Sequence, residues 1–413
     1  MRRRAMRAAL VAALLVGPIA CNGILGIDSP TLVEGGASSG DAKAHDGEAR
    51  RDGAAETGAH DATKDARNDA GRDAATDAAR DAKADVRLDG GGTTDAVADG
   101  PRPGDAAFDG NCTCSSDACA PITVVSNIVG QVSGLVVAPG GLYFSNDVDE
   151  PLHGVVEFVR FGHGIAPIAA DASFPGAMAI AGSDLFWTDT IVAQINTCDL
   201  PSGEPRNFIQ GDPLPGGSLL VGNGASIFWT DGTGVRACPV IGCDGGASLG
   251  GTEASQLAAN DAGALWSVPS TSPALTRVFS CATATCGATE AEVLTQEAGI
   301  SLLATTRTNL YWVSGNTIST CPMSNGLGPC SGPPTALATT SVGSPVSQLA
   351  VDSTALYWSD SQEGLIVKVP LDGSALVTLV SGSANLGEIA VGPTCVFWAG
   401  QDGDAGVLKA IAK

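Results

Sequence analysis

All six tryptophans and all three tyrosines of this 413-residue chain stand in one short motif that recurs seven times. It reads GLYFSND at 141–147, DLFWTDT at 184–190, SIFWTDG at 226–232, ALWSVP at 264–269, NLYWVSG at 309–315, ALYWSDS at 355–361 and CVFWAGQ at 395–401. The anchoring aromatics are Phe144, Trp187, Trp229, Trp266, Trp312, Trp358 and Trp398, spaced by 43, 42, 37, 46, 46 and 40 residues. A site occurs once, whereas a unit that recurs is architecture.

Each copy has the same grammar. A short apolar run (GLVVAP, AMAIAG, QLAVDS and their equivalents) leads into a tight polar turn, the aromatic strand follows, and a third alternating strand comes next (VVEFVRF, LTRVFSC, LIVKVPL). A weaker fourth strand ends the unit, most clearly as LVTLVSG at 376–382. Four short strands at a period near 42, with no helical periodicity, describe one blade of a β-propeller. The fold class is therefore all-β, with seven blades.

Closure of the ring is legible as well. The seventh unit stops at Lys413 just after its third strand, while PITVVSN at 121–127 precedes the first unit as an unpaired strand. The N-terminal strand is expected to complete the last blade, which removes exposed edges that would otherwise pair with other chains. The motif tryptophans read as structural wedges. Burying an indole removes roughly 150–250 Å² from water, on the order of 4–6 kcal/mol before entropy is subtracted.

With these residues in view, the segment resembles the Tyr-Trp-Thr-Asp propellers of the low-density-lipoprotein receptor class. ALYWSD, DLFWTD and SIFWTD carry the likeness, sharpened by Leu371, Asp372 and Gly373 in the sixth unit. It covers residues 121–413 and implies a propeller. That class usually has six blades, so six is the alternative count, and units four, five and seven lack the closing Asp.

The chain begins MRRRAMRAALVAALLVGPIAC, a basic start followed by an apolar stretch too short to span a bilayer. It reads as an export signal over residues 1–20. Ala20 before Cys21 resembles the lipobox of bacterial lipoproteins, with Pro18 where that family carries Leu. The resemblance implies acylation of Cys21, and Asn22 after it implies passage to the outer membrane. Residues 21–110 form a low-complexity Asp- and Ala-rich tract with Asp recurring at 61, 65, 69, 73, 77, 81, 85 and 89. Little beyond Ala is available there to bury, so a solvated tether is expected. The propeller is expected over 111–413.

Charge and cysteine usage narrow the partners. Residues 41–110 hold 17 Asp plus Glu against 10 Lys plus Arg, and residues 111–413 hold 25 against 8. Such a surface repels phosphate backbones, which argues against nucleic acid. The close pairs Cys238 and Cys243, Cys281 and Cys286, and Cys321 and Cys330 read as local disulfide loops of an exported protein, with zinc the rival reading. Cys112, Cys114, Cys119, Cys198 and Cys395 make five, so at least one thiol lacks a partner within the chain.

Catalysis finds few candidates. The propeller segment has two histidines, His153 and His163, and no nucleophile elbow, phosphate loop or dinucleotide fingerprint. Asp147, Asp149 and Glu150 form its densest acidic loop and read as solvated surface more readily than as a calcium site. Asp189, Asp231 and Asp360 read as caps of blade-end turns. No catalytic residue, metal ligand or cofactor is assigned. The expected function is non-enzymatic binding of a protein, peptide or glycan by a monomeric, membrane-anchored lipoprotein at the cell envelope. The alternative is a metal-assisted hydrolase or lyase acting at the propeller channel mouth.

Overall fold

The computed structural model describes residues 108–413, apart from 115–118, 149–152, 211–213, 215–217, 244–245, 251–252, 272–273, 283–289, 298, 342–344 and 404. The expected signal peptide, Cys21 and the expected tether up to residue 107 lie outside the described residues, as do Asp149, Glu150 and Cys286.

Every helix or strand among the described residues is a strand. After β1 (Ile122–Ile128), blade 1 comprises β2 (Gln131–Ala138), β3 (Gly141–Val148), β4 (His153–Arg160) and β5 (Gly164–Ala172). Blade 2 comprises β6 (Pro175–Ala181), β7 (Asp184–Asp189), β8 (Gln194–Asp199) and β9 (Arg206–Gln210). Blade 3 comprises β10 (Leu220–Gly222), β11 (Ser226–Thr230), β12 (Val235–Pro239) and β13 (Ala247–Gly250). In blade 4 are β14 (Gln256–Asn260), β15 (Gly263–Thr271), β16 (Ala274–Cys281) and β17 (Ala291–Gln296). Blade 5 follows with β18 (Leu302–Thr305), β19 (Asn309–Ser314), β20 (Thr317–Pro322) and β21 (Thr335–Thr339). Blade 6 has β22 (Gln348–Val351), β23 (Ala355–Asp360), β24 (Leu365–Pro370) and β25 (Val377–Val380). Blade 7 has β26 (Ile389–Val391), β27 (Cys395–Asp402) and β28 (Ala405–Ala412).

Each blade is an antiparallel four-stranded sheet, and the seventh is completed by β1, in the order β1-β28-β27-β26. Ile122 pairs with Ala410 and Ile128 with Gly406, so the two ends of the folded chain share one ladder. The first strands of the blades touch in a closed circuit, β2, β6, β10, β14, β18, β22, β26 and back to β2. The protein is a seven-bladed β-propeller, and seven separate sheets exclude the six-blade alternative.

The aromatic pair explains how the ring holds. Consecutive residues of a strand face opposite sides of the sheet, so the two aromatics of one motif enter two different interblade cores. Tyr143 of blade 1 packs with Trp187 and Met178 of blade 2, and Phe144 turns the other way to join Phe397 of blade 7. The pattern continues with Phe186 and Trp229, Phe228 and Trp266, Leu265 and Trp312, Tyr311 and Trp358, and Tyr357 and Trp398. Each interface thus takes the first aromatic position of one blade and the anchoring position of the next. All seven anchors are buried. One of them dictates a glycine nearby: Gly246 has φ +70°, and a Cβ there would collide with the Trp229 indole.

The folded unit starts before residue 111. Phe108 is buried and packs edge-on against Phe161 and Phe397 between blades 7 and 1. Residues 108–110 therefore belong to the ring instead of the tether, because that stretch carries an aromatic side chain with a core to enter.

Candidate functional site at one end of the ring

Because every blade is the same meander, the turns sort to two ends. At one end lie the turns joining first to second strands and those joining third to fourth, and this end is braced. Asn223 Nδ2 donates to Asn260 O of the next blade at 3.1 Å, and Asn260 Nδ2 donates to Thr305 Oγ1 at 3.1 Å and Gly326 O at 2.9 Å. The Arg307 guanidinium pairs with Asp261 across blades 5 and 4. Asp352 accepts from Thr354 N, Ala355 N, Tyr357 OH and, at 2.6 Å, from Lys413 Nζ. Burial alone would raise the Asp352 carboxyl, but Lys413 and the turn donors outweigh it and hold it below the usual range.

The cysteines also gather there. Cys238 is joined to Cys243 and Cys321 to Cys330, while Cys281 is disulfide-bonded with its expected partner, Cys286, outside the described residues. Cys112 is joined to Cys395 and Cys114 to Cys119. Cys198 is the free thiol among the described residues. It sits in the core between blades 1 and 2 beside Tyr143 and Trp187, where burial pushes it up to about 12, too high for a reactive thiolate.

The opposite end carries the turns joining second to third strands and the connections between blades. Here Asp231 accepts from Thr233 N at 2.8 Å, Gly234 N at 2.9 Å and Arg236 Nε at 2.6 Å. These bonds outweigh burial and lower its carboxyl. Asp360 accepts from Gln362 N and Glu363 N at 3.0 Å each. Asp189 accepts from Ser173 N at 3.0 Å, and burial raises its carboxyl. All three work as caps of turns.

One group at this end has no such work. Glu388 stands immediately before β26 and is 4% exposed. Among the described residues its carboxyl takes one hydrogen bond, from Gln348 Nε2 of blade 6 at 3.3 Å. No cation offsets its burial, which pushes the carboxyl up to about 8. Ser359, the cross-strand partner of Gln348, is fully buried, and its Oγ has no hydrogen-bond partner among the described residues. Directly opposed residues of an antiparallel pair share a face, so Ser359 and Gln348 point to the same side of blade 6.

The other singled-out residues do not converge. His153 begins β4, and His163 lies exposed in the turn beyond that strand's other end. Asp147 lies at the end of β3, with Asp149 and Glu150 outside the described residues. Among the described residues no three His, Cys, Asp or Glu side chains form a group able to hold a metal ion. Glu388 and Gln348 escaped sequence reasoning, although a signal exists. In each blade they occupy the position before the residue opposite the anchoring aromatic, which elsewhere is Gly134, Ala177, Leu219, Gln256 and Leu302. A lone Glu in that column is out of pattern.

No family model matches the chain, and no curated protein matches it. Solved structures do. The β-propeller domain of Cps50 (Swd1) from Myceliophteria thermophila aligns at 10% identity over 71% of this chain and 100% of that chain, with TM-score 0.54. YCF48 from Cyanidioschyzon merolae aligns at 12% identity over 71% of this chain and 99% of that chain, with TM-score 0.53. A chain of a nidogen/laminin complex aligns at 16% identity over 57% of this chain and 91% of that chain, with TM-score 0.40. At such identities the first two likenesses establish the fold alone: the chain has the architecture of a β-propeller.

Proposed function

We propose that this protein is an exported lipoprotein, acylated at Cys21, whose propeller binds a protein, peptide or glycan partner at the cell envelope without catalysing a reaction. The observation that carries this reading is the asymmetry of the ring. Every disulfide among the described residues lies at one end, with the Arg307–Asp261 pair and the asparagine bonds, while the other end presents turns and interblade connections on a rigid scaffold. Variable loops held on a rigid frame are where binding function concentrates. The disulfides support an oxidising compartment.

Pull-down from envelope extracts tests the binding reading. A partner should be retained by wild type and by loop swaps at the braced end, and lost when loops of the opposite end are swapped. Retention through both sets of swaps, or no partner at all, would count against it. Mass spectrometry of the mature N-terminus tests the address, which fails if the chain starts beyond Cys21 without lipid.

A second reading, a metal-assisted hydrolase or lyase at the channel mouth, draws support from Glu388, a carboxyl that keeps its proton near neutral pH as a general acid must. Crystals grown in calcium would favour it if an ion were held by inward carboxylates at that end.

A further inference from the structure

We propose that Glu388, with Gln348 and Ser359 beside it, receives one cationic side chain, an ammonium or guanidinium, from a basic segment of a protein partner docking on the unbraced end of the propeller. The inference rests on the binding reading above and names the chemistry of the partner.

Two observations carry it independently. The first is an incomplete site. A buried carboxyl normally has a cation or several donors. Among the described residues Glu388 has one amide donor, and the cross-strand neighbour of that amide, Ser359, leaves a buried hydroxyl unused. Two of these groups can accept from a cation: the Glu388 carboxylate and the Ser359 hydroxyl. What is missing is the donor, and a Lys or Arg tip is all donor.

The second is the charge of the surrounding end. Of the eight Lys and Arg of residues 111–413, only Arg236, the second residue of β12, stands close to this end, and it is bonded to Asp231. Arg160, Arg206, Arg307 and Lys413 lie at the braced end, and Arg277, Lys368 and Lys409 lie within strands. Glu253, Glu297, Glu363 and Asp402 are exposed at the unbraced end, Glu363 in the turn after β23 and Asp402 at the end of β27, in the same two blades that form the Glu388 site. Such a field concentrates cations. Val129, Ile191 and Val192 are exposed at this end as well, apolar contacts that suit a peptide segment.

Binding has a proton signature. The group that meets Glu388 from β22 is Gln348, whose cross-strand neighbour on β23 is Ser359; neither titrates near neutrality, and burial is the one cause acting on the carboxyl. At pH 7 the empty site holds a proton, and an arriving cation expels it. The full chain is titrated calorimetrically with deca-lysine at pH 7 in two buffers of different ionisation enthalpy, with ε-acetylated deca-lysine as the control probe. Wild type should bind deca-lysine, release close to one proton per site, and ignore the acetylated probe. Glu388→Gln should weaken binding at least tenfold and abolish proton release, and Gln348→Ala should weaken it while release persists, a second measure should Glu388→Gln disturb the fold.

Equal affinity of wild type and Glu388→Gln, absence of proton release, equal binding of the acetylated probe, or no binding of deca-lysine would overturn the proposal. A partner lost on swapping loops of this end but indifferent to Glu388→Gln would leave the binding reading standing and remove this one.

Discussion

Cys112 and Cys395 are disulfide-bonded across 283 residues of sequence, with their Cα atoms 5.3 Å apart. Cys112 lies just ahead of β1 and Cys395 opens β27, so the bond fastens the incoming chain to the blade that β1 completes. The ring is thus closed twice, once by the β1–β28 ladder and once covalently.

The chain-entropy relation assigns a closed loop of that length about 5.6 kcal/mol, against roughly 2 kcal/mol for a five-residue clip. Replacing Cys112 and Cys395 together by Ser should therefore lower the thermal midpoint more than replacing Cys238 and Cys243 together. Differential scanning calorimetry of the oxidised proteins checks the order. Equal losses would mean that the ladder alone holds the ends.

Trp229 is fully buried between blades 2 and 3, yet its Nε1–H has no acceptor among the described residues. Its contribution is packing, so removing the nitrogen while keeping a ring should matter little. Trp229→Phe is expected to cost about 1–2 kcal/mol and Trp229→Ala about 3–5 kcal/mol in urea unfolding. A Phe variant as damaged as the Ala variant would indicate a hydrogen bond that the indole does make.

Glu388 should make stability fall with rising pH. Below its ordinary value of 4.5 the carboxyl is protonated both folded and unfolded, and it costs the fold nothing. Between 4.5 and about 8 the unfolded chain gives up a proton that the folded chain keeps, so its contribution declines by about 1.4 kcal/mol per pH unit and levels off above. Glu388→Gln should be nearly neutral at pH 4.5 and increasingly stabilising towards pH 8. A pH-independent difference in denaturation midpoint would contradict a buried, unpaired carboxyl.

Asp352 should behave in the opposite sense. Its folded carboxyl is held below the usual 3.8 by Lys413 and the turn donors, which outweigh its burial. Its contribution is therefore present above that pH and lost as pH falls through the folded value. At pH 7, Asp352→Asn is expected to cost about 1–3 kcal/mol, shrinking in strong acid. Urea melts at pH 7 and pH 3 test the sign, and an equal loss at both would assign the effect to packing.

How much was legible follows from what each feature depends on. The aromatic motif, its spacing near 42 residues and the stray strand at 121–127 specify the blades and their closure, because strand pairing and pleat act locally and seven copies repeat the same message. The tilt of Tyr143 towards blade 2 and of Phe144 towards blade 7 is the same period-two alternation carried through the ring.

The Cys112–Cys395 bond and the free state of Cys198 were not legible, since five cysteines without close partners admit several pairings and only the meeting of the chain's ends selects one. Glu388 was invisible for a related reason. In GEIAVG it is one glutamate among many, and only the ring brings Gln348, 40 residues earlier, to its carboxyl and keeps water and cations from it. Sequence determined the repeating unit because its causes are local in the chain. Tertiary structure alone decided which end is braced and where a charge is left unpaired, because burial and partnership belong to residues that meet only when the circle closes.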